Sequence, residues 1–163
     1  MVLTDGGVYD NLGLETAWKR YKAILVNDGG GKMSPEAYPS PLWSLHAYRV
    51  NGIIDNQVRS LRKRQLISSY VSGERAGAYW GIRTDIRNYG LRDALDCPSA
   101  QTHELADIPT RLKRLHHEQQ KQLINWGYAV ADAALRRHFN IFEEGIPVPA
   151  RFPYPETLIR RGC

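Results

Sequence analysis

Two short apolar runs bracket a double-glycine turn at the start of the sequence, and this pairing limits the fold more than any other feature. Met1 to Thr4 reads as the end of a buried strand that runs directly into Asp5-Gly6-Gly7. Paired glycines favour a sharp turn, because glycine accepts positive φ and lets backbone approach closely. Leu12 to Tyr21 suits a short helix with Asn11 as its N-cap. Ala23 to Asn27 (AILVN) is a brief apolar run bounded by turn residues, so a buried strand is expected there. Strand, helix and strand over so short a span predict a βαβ-type unit, a parallel sheet and an α/β fold.

The remainder is rich in helix. Asp28 to Leu42 is a loop dense in glycine and proline. From Trp43 to Tyr70 the spacing predicts one long helix: Val50, Ile54, Val58, Leu61 and Gln65 share a face, which Leu45 and Leu66 extend. Ala76 to Ile82 suits a strand, and Tyr89 to Pro109 is irregular with short helical pieces. A second long helix is expected from about His116 to Phe139, with Ile124, Tyr128, Ala131 and Leu135 as its buried stripe. Gly145 to Pro155 holds too many prolines for a helix and reads as an extended strap, part of a Pro-rich tail over residues 145–163. Two strands, or three, bury little by themselves. Residues 1–163 are therefore expected to form a single incomplete domain.

Composition narrows the class without naming a function. With 163 residues, 42% hydrophobic and 24% charged, the chain is long enough for one domain with a real core. The longest aliphatic run, Ala23 to Val26, is far too short to span a bilayer. Met1 to Gly7 lacks the basic flank and apolar core of a secretory signal, so a cytoplasmic or membrane-peripheral location is expected. Cys97 and Cys163 are expected to be free thiols, and neither has neighbouring ligands for a structural metal. The net charge of +5 suits an anionic partner, although a solvated basic face is the commoner explanation.

The chemistry is concentrated in Leu3 to Glu15, LTDGGVYDNLGLE. A carboxylate in Asp-Gly-Gly after a strand stands at the C-terminal edge of a sheet, where open α/β folds bind ligands. It can act there as a general base, orient one, or bind a metal. The plain alternative is a turn, since Asp-Gly is a common turn pair. The longer string resembles the block around the catalytic aspartate of the patatin-like phospholipase family, with Asp5, Gly6, Gly7 and then Asn11 matching. The resemblance continues through AILVND, IIDNQVRSLRKRQLI, GAYWGIRTDI, IPTRLKRL and LINWGYAVADAALR, roughly Val2 to Arg137. It implies the C-terminal portion of a three-layer α/β fold with a mainly parallel sheet. It also implies a serine hydrolase of phospholipid or other carboxylic esters that uses a Ser–Asp dyad and no cofactor. In such a dyad the aspartate activates a serine held in a G-x-S-x-G elbow, and a glycine-rich loop supplies N–H groups to the oxyanion. Asp5 is the one catalytic residue the resemblance places on this sequence.

The nucleophile is not here. Ser34, Ser40, Ser44, Ser60, Ser68, Ser69, Ser72 and Ser99 all lack glycine two positions away on both sides. The serine and the oxyanion loop are expected upstream of Met1, on a serine-bearing N-terminal portion, and the isolated chain is expected to be inactive. Asp28-Gly29-Gly30-Gly31-Lys32 imitates a phosphate loop but fails its pattern, with Met33 after the lysine and Val26 where the first glycine belongs. It reads as a flexible exit from a strand. The basic run Arg59, Arg62, Lys63 and Arg64, with Lys19, Arg20 and Lys22 nearby in sequence, could contact anionic lipid, or form an ordinary solvated helix face. No aromatic interleaving marks it as a nucleic-acid platform. His116 and His117 diverge by about 100° on a helix and share a metal poorly, while His46, His103 and His138 are isolated. Trp80 and Trp126 sit in apolar contexts that suit core packing. Besides the hydrolase portion, a non-catalytic truncated interaction module and an anion-binding protein remain compatible with the sequence.

Overall fold

The computed structural model describes residues 7–111, 113–139 and 150–157. It is mixed α/β. In chain order come α1 (Gly7–Asp10), α2 (Leu14–Arg20), β1 (Ala23–Asp28), α3 (Trp43–Val71), β2 (Ala76–Gly81), a 3₁₀ turn at Ile86–Tyr89, α4 (Ser99–Ala106) and α5 (His117–His138). The expected strand at Met1 to Thr4 lies outside the described residues, as do 145–149 and 158–163 of the Pro-rich tail. Residues 150–157 contain no helix or strand.

β1 and β2 form a two-stranded sheet. The Ala76 N–H donates to the Lys22 carbonyl and the Ile82 N–H to the Asp28 carbonyl, both at 3.0 Å. The constant offset between these pairs fixes a parallel register. β1 was expected to be buried throughout, but it buries only Ile24, Val26 and Asp28 and exposes Ala23, Leu25 and Asn27. Successive side chains of a strand point to opposite faces, and here only one face of β1 is covered.

The chain divides into two compact units, residues 1–24 with 32–76, and residues 25–31 with 77–163. In the first unit, the helix expected over Leu12 to Tyr21 is split. Gly13, at φ 61°, breaks the path between α1 and α2 and stands at the N-cap of α2. The expected cap at Asn11 is replaced by Asp10, whose Oδ2 accepts from the Glu15 N–H at 2.7 Å. A carboxylate in this position offsets an orphan donor and the positive end of the helix dipole.

α3 begins at the expected residue and ends one residue beyond the expected boundary, but its apolar stripe does not lie where periodicity placed it. Leu45, Val50, Ile54, Val58 and Leu61 are all exposed, Ile54 and Leu61 at 52% each. Gln65 is exposed as well, and of the expected face only Leu66 is buried. The packed side is marked by Leu66, Ser69 and Tyr70, which lies about 140–180° around the helix from Leu61 for the two larger residues. The Tyr70 hydroxyl donates to the Ile24 carbonyl at 2.7 Å, and burial pushes its pKa up to about 12. Arg75 donates to the Tyr21 carbonyl at 2.6 Å and lies over the Trp18 ring, 4.1 Å from its centroid.

The second unit holds the main core: Ala78, Ile86, Tyr89, Cys97, Leu105, Trp126, Ala129, Val130, Ala133 and Ala134, with Trp80, Ile82 and Leu91 among those packed on it. The buried stripe of α5 lies on nearly the opposite side of the helix from the expected one. Asn125, Trp126, Ala129, Val130, Ala133 and Ala134 are buried, whereas Ile124 and Tyr128 are exposed. Two polar anchors fix this rotation. The Trp126 Nε1–H donates to the Ile82 carbonyl at 2.9 Å. Asn125 donates from Nδ2 to the Tyr154 and Thr157 carbonyls at 2.8 and 2.7 Å and accepts from the Tyr154 N–H at 2.9 Å. Small alanines on the same face then permit close approach. Cys97 is a free, buried thiol whose pKa burial pushes up to about 12, so it is poorly nucleophilic. Cys163 lies outside the described residues.

Candidate functional site

The strongest candidate lies within the first unit, where the segment Gly7–Leu12 meets the middle of α3. There the two enclose an open cleft of about 770 Å³. Gly7, Tyr9, Asp10, Asn11 and Leu12 line one side, and Tyr48, Asn51, Gly52, Ile54, Asp55, Val58, Arg59 and Arg62 line the other. Along α3, Tyr48, Gly52, Asp55, Arg59 and Arg62 recur at alternating steps of four and three. This is the spacing of a single helix face. The helix therefore offers the cleft a polar face with an apolar margin at Ile54 and Val58.

Four of the residues singled out from sequence meet here: Gly7, Asn11, Arg59 and Arg62. Lys63 and Arg64 do not line the cleft. Asp5 and Gly6 lie outside the described residues. Sequence reasoning missed Tyr9, Asp10, Tyr48 and Asp55. The signal for the α3 pair was available, as a second periodic face about 120° from the apolar one.

The electrostatics of the cleft pass through Glu15. Its carboxylate pairs with Lys19 at 2.5 Å, and Arg62 approaches its other oxygen at 3.8 Å. The Lys19 hydrogen bond and then that of Tyr9 hold the Glu15 carboxyl below the usual range, and the same Glu15 contact raises the Tyr9 phenol. Tyr9 is thus kept a neutral donor. Arg59 donates to the Asn56 side-chain oxygen at 3.3 Å. Two arginines, two aspartates and apolar walls make a cleft suited to a ligand with both a polar head and a hydrocarbon portion.

A second acid stands at the C-terminal end of β1. Asp28 is buried; its Oδ2 accepts from the Tyr79 hydroxyl at 2.8 Å and its Oδ1 from the Gly30 N–H at 2.9 Å. These bonds give Asp28 a structural task at the exit of the strand. Among the described residues, no group of three or more His, Cys, Asp or Glu side chains could hold a metal ion. No described helix is long and apolar enough to cross a membrane. No protein-family model, curated protein or solved structure matches the chain.

Proposed function

We propose that this chain is the aspartate-bearing portion of a patatin-like acyl hydrolase acting on phospholipid or other carboxylic esters. Asp5 is the base of a Ser–Asp dyad, and a separate serine-bearing portion supplies the nucleophile and the oxyanion loop. The fold proposed for the assembled enzyme is a three-layer α/β domain in which β1 and β2 are two members of a larger, mainly parallel sheet.

The observation that carries this reading is the cleft, because it unites Gly7 and Asn11 of the resembling block with Arg59 and Arg62 of the basic run. Apolar Leu12, Ile54 and Val58 suit an acyl chain, and the two guanidiniums suit an anionic head group. In the reaction, the Asp5 carboxylate takes the serine proton as the oxygen attacks the ester carbonyl. Collapse of the tetrahedral intermediate expels the alcohol, which recovers that proton, and leaves an acyl-enzyme. Water then attacks the acyl-enzyme with the same carboxylate as base, releasing the fatty acid and restoring the serine.

The reading is tested with the purified chain, a p-nitrophenyl ester, phospholipid vesicles and a fluorophosphonate probe. No turnover and no labelling are expected, since the chain has no serine elbow. Robust hydrolysis lost in Asp5→Asn would show that a serine within these 163 residues serves as nucleophile and would overturn the division of labour.

A further inference from the structure

α3 leaves its most apolar face exposed, with Ile54 and Val58 also bordering the cleft. Trp43, Ala47, Val50, Ile54, Val58 and Leu61 fall within a stripe of about 80° on the helix, and every one is exposed, Trp43 at 79%. At a rise of 1.5 Å per residue the stripe is about 27 Å long. An open apolar stripe of this length on a soluble face marks a contact surface.

Charge decides what covers it. α3 carries Arg49, Arg59, Arg62, Lys63 and Arg64 against a single acid, Asp55. Arg62 and Arg64 follow Leu61 by one and three positions, about 100° to one side of it and about 60° to the other. The stripe is thus bordered on both sides by guanidiniums on long stems, which can reach a charged layer while the apolar side chains sink below it. Trp43, exposed at one end of the stripe, adds a ring of the amphipathic kind that favours a membrane interface. Glu15 faces Arg62 only at 3.8 Å, and Arg64 lies on the other border. A second copy is the poorer occupant. Two such helices paired in parallel would set Arg62 and Arg64 against their own copies.

We propose that the exposed stripe of α3 docks the protein on an anionic lipid surface, with the helix lying in the interface plane, its apolar side chains inserted and Arg62 and Arg64 at the phosphates. The stripe shares Ile54, Val58 and Arg62 with the cleft walls, but docking uses no role of Asp5.

The full chain is tested by flotation with pure phosphatidylcholine vesicles and with mixed phosphatidylcholine–phosphatidylglycerol vesicles. Binding to the mixed vesicles, weakening as salt rises, and a blue shift of tryptophan emission that is lost in Trp43→Phe are expected. Arg64→Glu should weaken partitioning roughly 25-fold, taking each basic charge at such a surface as worth about fivefold. Leu61→Glu should abolish insertion while leaving the far-UV spectrum intact, since this residue is exposed. Val50→Glu provides the same test at a second exposed stripe residue that does not line the cleft. No flotation, equal flotation with both vesicles, unaltered binding in Leu61→Glu and Val50→Glu, or a dimer by light scattering that Leu61→Glu dissolves would each overturn the proposal.

Discussion

α3 and α5 are the two long helices among the described residues, and they treat their apolar residues in opposite ways. α5 buries Trp126, Ala129, Val130, Ala133 and Ala134 in the main core. α3 leaves Trp43, Val50, Ile54, Val58 and Leu61 open and buries only Leu66 and Ser69. Periodicity alone does not separate these cases. The difference lies in polar anchoring: Asn125 and Trp126 tie α5 to the 150–157 segment and to Ile82, whereas α3 is tied near its end by the Tyr70 hydroxyl, which donates to the Ile24 carbonyl. A helix is rotated by the bonds its polar groups must make as well as by its apolar stripe, because an unsatisfied buried polar group costs about 1–3 kcal/mol.

The largest effect should follow from Trp126→Ala. The ring is 1% exposed and its removal also orphans the Ile82 carbonyl, so a loss of about 4 kcal/mol is expected by denaturant unfolding. A loss below about 1 kcal/mol would erase the contrast between the helices. Within α3 the same contrast is repeated between two leucines. Leu66→Ala should cost about 3 kcal/mol, whereas Leu61→Ala should stay within about 0.5 kcal/mol. Equal costs would mean that the Leu61 face is packed in solution. Asn125→Ala should cost about 2 kcal/mol and expose the 150–157 segment to protease, since three hydrogen bonds to that segment are lost.

The smallest effect is electrostatic. The Arg87 guanidinium holds the Asp85 carboxyl down at about 2. An acid with a depressed folded pKa contributes stability above its unfolded value, 3.8, and loses it as pH falls through the folded value. Between about pH 4 and pH 2, Asp85→Asn should therefore flatten the acid limb of the stability curve slightly, the pair being largely solvated. A larger change in Asp85→Asn at neutral pH than at pH 2 is expected, and the reverse order would contradict the sign.

Much of this architecture could be read from the sequence. The bounds of α3, β1, β2 and α5 follow from run length, spacing and flanking glycine or proline. Rotation about the helix axes could not be read in the same way. On α5, Ile124 and Tyr128 fit a stripe as well as Trp126 and Val130 do, and only the partners of Asn125 and Trp126 choose between them. On α3 the apolar residues were legible, but the face lining the cleft is the polar series Tyr48, Gly52, Asp55, Arg59 and Arg62. At the site, Gly7, Asn11, Arg59 and Arg62 were singled out by motif and charge. Their meeting in one cleft depends on the break at Gly13, a single residue whose left-handed conformation no periodic pattern encodes.

The central claim is that Asp5 is the base of an acyl hydrolase completed by a serine-bearing portion. Its most direct test is ester hydrolysis by this chain joined to an N-terminal patatin-type segment that carries a G-x-S-x-G elbow and a glycine-rich loop. The account predicts turnover that falls by ~10³-fold or more in kcat when Asp5 becomes Asn, with fold and substrate binding retained. A folded, active fusion whose Asp5→Asn variant keeps the parent rate would contradict it.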